Sequence, residues 1–134
     1  MKNILYIGKY NGIIGGIERY MQQSAALLRR SGFQVHYLHT EDDGRDREQF
    51  AAAFDSAAPF SPSAPQLADA DIVIIHNILP AEVLKTLPAG KCLFFAHDHN
   101  IYCRRHHYYT PVGRTNCHRA YHPLRCFLCS LGRN

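Results

Sequence analysis

No stretch of the 134 residues stays apolar for the roughly 20 positions that a membrane-spanning helix needs, so no such helix is expected. The opening MKNILYIG is interrupted too soon to be a secretory signal, and the chain is expected to be cytoplasmic. G-x-G-x-x-G does not occur, which removes the dinucleotide fingerprint. No Gly-Lys-Ser/Thr follows a glycine loop, which removes the P-loop. Internal repeats are absent. Acidic residues nearly vanish from the C-terminal part: residues 97–134 hold Asp98 alone against six arginines, a net +5, with six of the nine histidines. Residues 1–96 are balanced, nine Lys and Arg against ten Asp and Glu. The asymmetry suits an anionic partner such as a phosphate or a lipid headgroup, or else a solubilising face. Nothing resembling a nucleic-acid reading motif accompanies the arginines, so no nucleic acid is expected.

What remains is a chain with 46% apolar residues, enough for one core of ordinary size. NILYIG (3–8) is a continuous apolar run, as in a strand buried on both faces. From Ile17 the period changes: Ile17, Met21, Ala25 and Leu28 recur at helical spacing, and Gly32 after LRRS is a helix stop. QVHYLH (34–39) predicts a second strand and GRDREQFAAAFDSAA (44–58) a second helix. PFSPSAPQ (59–66) reads as an exposed proline-rich loop, DIVIIHN (71–77) as a third strand, PAEVLKTLP (80–88) as a short helix opened by proline, and KCLFFAH (91–97) as a fourth strand. This alternation predicts an α/β fold: a Rossmann-like parallel sheet with right-handed crossovers and flanking helices over residues 1–100, followed by a cysteine- and histidine-rich basic lobe over 101–134.

In such a sheet, ligands collect beyond the carboxyl ends of the strands. The segment GKYNGIIGGIERY carries Gly15 and Gly16 from strand one into the first helix. Glycines there let backbone N–H groups meet a ligand, and the helix start favours an anion. A double glycine before a helix also serves as a plain turn. Two further strand ends carry polar residues, His76-Asn77 and His97-Asp98-His99-Asn100. A neutral histidine there can exchange a proton or bond a sugar hydroxyl, or be a satisfied structural residue. His97 and His99 would share a face of a continued strand, which admits a metal reading that a turn at the strand end breaks. Glu18, in the first helical turn, is expected to serve the helix dipole.

IGKYNGIIGGIERYMQQSAALLRRSGFQVHYL, ADIVIIHN and GKCLFFAHDHNIYC, taken together and in this order, resemble the N-terminal domain of the retaining GT-B glycosyltransferases of family 4. The resemblance covers residues 2–40 and 69–129. It implies transfer of a sugar from a UDP- or GDP-type nucleotide-sugar to a glycan or lipid-linked acceptor, as in envelope or exopolysaccharide synthesis. It places the Gly15–Gly16 loop against the donor phosphates and His97 against the donor sugar near the reacting carbon, with His76, Asn77 and Asp98 lining the acceptor side. No metal is implied for catalysis, so the leaving diphosphate is stabilised by basic groups and helix ends. The family's nucleotide-binding C-terminal domain, with its acidic E-x(7)-E element, has no counterpart here. The chain is therefore expected to be a truncated or split N-terminal portion, inactive by itself and needing that domain as a partner.

Cys103, Cys117, Cys126 and Cys129 end in C-x-x-C amid arginine and histidine. Thiolates at that spacing can share one tetrahedral zinc ion; free or oxidisable thiols and an iron–sulfur cluster are the alternatives. Some members of the family carry a similar cysteine-rich insertion after the HD strand. His106, His107, His118 and His122 are substitute ligands, and Cys92, inside a strand, is expected to be a small core residue. Two functions follow. One is a transferase portion whose basic lobe sits at an anionic membrane surface or grips a lipid-linked phosphate. The other is a small zinc-binding interaction module on a sheet without transferase chemistry.

Overall fold

The computed structural model describes residues 2–76, 79–97, 103, 116–118 and 120–131. The chain divides into two compact units, 1–95 and 96–134.

The first unit is a five-stranded, all-parallel sheet flanked by helices. Its strands are β1 (Asn3–Tyr10), β2 (Gln34–Glu41), β3 (Ser56–Pro59), β4 (Ile72–Ile75) and β5 (Cys92–Phe94), in the spatial order β3-β2-β1-β4-β5. The order is that of the first five strands of a Rossmann-like sheet. Alternating side chains of the central strands serve two cores. Ile4 and Tyr6 of β1 join Val35 and Tyr37 of β2 with Met21 and Ala25 of α1 (Gly16–Arg30) and Phe50 of α2 (Arg47–Ala51). Leu5 and Ile7 point the other way, to Leu38, Val73, Ile75 and Leu67 of α3 (Pro65–Asp69), with Val83 of α4 (Ala81–Leu84) packed alongside. A sheet covered on both faces explains why NILYI is apolar without alternation.

The end of α1 follows its sequence. Gly32 takes φ +88°, its N–H donates to Arg29 O at 3.0 Å, and the N–H of Phe33 donates to Leu28 O at 3.1 Å. Those two bonds form a Schellman cap, closed by the half-buried Leu28 and Phe33 packed on the same core.

The helix expected over 44–58 is corrected. Helical structure stops at Ala51, and Ser56–Pro59 is an edge strand. The helical period was real, since Phe50, Ala53 and Phe54 are all buried on the α1 side. Asp55 ends it. Its N–H donates to Val35 O at 2.7 Å, its carboxylate accepts the Val35 N–H at 2.7 Å, and Arg29 Nε holds the other oxygen at 3.0 Å. That grip on β2 starts the parallel pairing of His36 with Ser56 through His39 with Pro59. Pro59 is tolerated because β3 is an edge. The loop expected over 59–66 is also shorter, because Pro65 opens α3.

In the second unit the regular element among the described residues is α5 (Pro123–Leu131). Most of the expected cysteine- and histidine-rich lobe lies outside the described residues.

Candidate functional site at the head of the sheet

The chain leaves β1 toward β2 and β3, then returns to β4 on the other side of β1. The strand order therefore reverses between β1 and β4, and a crevice at their carboxyl ends is the usual ligand position in open parallel sheets. Ile7 pairs with Ile75, and the N–H of His76 extends that ladder by donating to Ile7 O at 3.0 Å. Beyond it come the loop 11–15 and the start of α1.

The loop after β2 clamps this loop. Ile13 and Arg45 exchange N–H···O bonds of 2.8 and 3.0 Å, with Ile13 buried beneath. Asn11 Nδ2 donates to Asp42 Oδ1 at 2.9 Å, and Arg47 donates to the same oxygen at 3.0 Å. The Asn11 amide and the Arg47 guanidinium together hold the Asp42 carboxyl below its ordinary pKa. Gly12 and Gly44 touch at the crossing. A methyl on Gly12 would stand 2.7 Å from Arg45 O, and one on Gly44, where φ is +113°, would stand 2.6 Å from the Gly12 carbonyl carbon. Neither glycine stood out in the sequence, because only the tertiary approach of two loops demands them.

Gly15 and Gly16 behave differently. Gly15 has φ −156°, extended backbone that any residue adopts, and a methyl there would meet only Glu18 Oε2 at 3.9 Å. A methyl on Gly16 would meet nothing within 4 Å among the described residues. Glu18 does more than face the helix dipole. It is buried, and its Oε2 accepts the Gly15 N–H at 2.8 Å. The Gly15 amide is therefore engaged within the protein, and the first amides of the helix itself are those of Gly16 and the residue after it. Glu18 also reaches Tyr37 electrostatically. Burial first, and then the Glu18 charge, push the Tyr37 hydroxyl far above the ordinary tyrosine range, and that hydroxyl donates to the Tyr10 carbonyl.

His76, at the end of β4, is 2% exposed. Its ring lies 4.5 Å from Tyr6, 6.1 Å from Tyr20 and 5.7 Å from Phe95, centroid to centroid. Tyr20 and Phe95 stack on each other at 5.1 Å and 27°, and both are about two-fifths exposed. The surface next to His76 is thus an aromatic pair, one turn along α1 from Gly16. The sequence held one signal for it: Tyr20 falls four residues after Gly16 and so on the same side of the helix.

His97 belongs to the second unit. Asn77, Asp98, His99 and Asn100 lie outside the described residues, as do His106 and His107. Among the described residues no group of three or more His, Cys, Asp or Glu is placed to hold a metal ion. Cys103, Cys117, Cys126 and Cys129 are free thiols, half-buried. The C-x-x-C pair falls inside α5, where Cys126 has a local role: its Sγ accepts the His122 N–H at 3.3 Å while His122 Nδ1 accepts the Arg125 N–H at 3.3 Å. His122 thereby caps α5. Cys92 packs half-buried against the α3-side core, its Sγ donating to Pro88 O, and burial raises its thiol pKa.

A cavity of about 530 Å³ opens at the carboxyl ends of β2 and β3, among His39, Thr40, Asp42, Arg47 and Phe60. His39 is 5% exposed, and its pKa is lowered, chiefly by burial. The unfolded chain takes up this proton near the ordinary 6.5, the folded chain only at lower pH. The unfolded state thus binds more protons in between, so stability is full above 6.5 and falls as pH drops from there through the folded value. Urea melts between pH 7.5 and 5 should show that fall, and His39→Gln should flatten it. An unchanged slope in His39→Gln would show that the ring is already solvated.

No family model matches the chain, and neither a curated protein nor a solved structure matches it.

Proposed function

We propose that the chain is the acceptor-side portion of a retaining GT-B glycosyltransferase, moving a sugar from a UDP- or GDP-type nucleotide-sugar to a glycan or lipid-linked acceptor. The observation that carries this reading is Gly16. It opens α1 at the strand-order reversal, and among the described residues a methyl there would touch nothing within 4 Å. Among the described residues nothing gives a reason for glycine at that position. A ligand that must approach the helix start does.

In this reading the first amides of α1 face the donor diphosphate and stabilise the charge that builds on it as the glycosidic bond to the leaving group breaks. The stacked Tyr20–Phe95 pair offers an apolar face on which a sugar ring can rest. In the family that the motifs resemble, a second domain holds most of the nucleotide, so on this reading the chain by itself binds it weakly. Amide NMR of the chain during titration with UDP- and GDP-hexoses tests this. Saturable shifts centred on Gly16 and Ile17 are expected. Shifts confined to other regions, or none, would overturn the reading.

A further inference from the structure

Helix α5 wears its polarity the wrong way round. At 100° per residue, Leu124, Phe127, Leu128 and Leu131 fall in one stripe about 100° wide, while Arg125, Cys126, Cys129 and Ser130 fall on the rest of the turn. In a helix packed on its own core, the leucine stripe is the covered side. Here Leu124 is 64% exposed, Phe127 45%, Leu128 57% and Leu131 63%, whereas Cys126, Cys129 and Ser130 are half-buried. The apolar side faces outward and the thiol side inward.

We propose that this face of α5 docks on an anionic lipid surface. Three observations choose that occupant. The helix contains no acidic residue, and Arg125 lies at the border of the stripe, next to Leu128 in the helical projection. In sequence, residues 97–134 carry six arginines against Asp98 alone, a charge that complements phosphate headgroups and would repel a second copy of itself. And α5 has nine residues, while no described helix is long and apolar enough to cross a bilayer, so it would lie in the headgroup plane with Leu124, Leu128 and Leu131 inserted. The inward cysteine face stays clear of the lipid, and the His122–Cys126 cap keeps the helix formed. The proposal stands independently of the transferase reading, because its readout needs no nucleotide-sugar.

The test is flotation of the reduced full chain with vesicles of phosphatidylcholine alone or with about one third phosphatidylglycerol. Binding is expected on the anionic vesicles, at least about tenfold stronger than on neutral ones, and weakening as salt rises from about 0.05 to about 0.5 M. Leu124→Ser with Leu128→Ser should remove about tenfold of that binding, and Arg125→Glu several-fold, with unchanged thermal melts because these side chains are exposed. No binding of the unaltered chain would overturn the proposal. So would equal binding to both vesicles, unchanged binding of the leucine double variant, or a concentration-dependent dimer that the double variant dissolves.

Discussion

Alanine at Gly44 is expected to lower the unfolding free energy of the first unit by about 3 kcal/mol, while alanine at Gly16 should leave it unchanged or raise it by about 0.5 kcal/mol. At Gly44 two penalties add. The backbone sits at φ +113°, where a side chain strains it, and the new methyl would stand 2.6 Å from the Gly12 carbonyl carbon. The neighbour is backbone and cannot swing aside. Relief would have to separate the two loops, breaking the Ile13–Arg45 pair and loosening Asn11 from Asp42. At Gly16 the φ is not positive and a methyl meets nothing within 4 Å among the described residues, and alanine is the better helix former. Urea melts of the two variants beside the unaltered chain decide it. A Gly44→Ala protein as stable as the original would mean that the two loops do not meet as described.

The second large effect is functional and inverts that order. If the start of α1 meets a diphosphate, Gly16→Ala should lower transfer by about a hundredfold in the presence of a donor-nucleotide domain, and should abolish the amide shifts at residues 16 and 17 in the chain alone. The methyl would stand where phosphate oxygens approach, and the amides would be kept off them. Because the same variant is as stable as the original, the loss cannot be assigned to unfolding. Full transfer by Gly16→Ala would remove the observation on which the proposed function depends. Gly15→Ala is expected to be milder, since the Gly15 amide is bonded to Glu18 rather than offered outward.

The contrast among these glycines shows what kind of information each level holds. GG before ERYM announced a loop at a helix start, and the helix duly begins at Gly16. Nothing local distinguishes Gly12 or Gly44 from any loop glycine. Their need arises from 32 residues of separation closing to a contact, which composition and period do not encode. Glu18 is similar. Its place in the first turn was legible, but its burial and its bond to Gly15 depend on how the loop folds back over the helix.

The strands at 3–8, 34–39 and 71–77, the cap at Gly32 and the doubly covered β1 follow from the sequence by itself, because they rest on short-range rules: apolar runs for strands buried on both faces, a 3.6-residue period for α1, and a glycine where φ must be positive. Only the tertiary structure decided the fate of residues 44–58. The buried Phe50 and Phe54 satisfy a helix and a turn equally well, and the choice fell to Asp55, whose bonds to Val35 and Arg29 exist only once α1 and β2 are in place. The same holds for the site. Sequence located polar residues at strand ends. Packing decided that His76 lies beneath aromatic rings while Tyr20 and Phe95 face outward, because exposure is a property of the neighbours a fold assembles rather than of the residue that bears it.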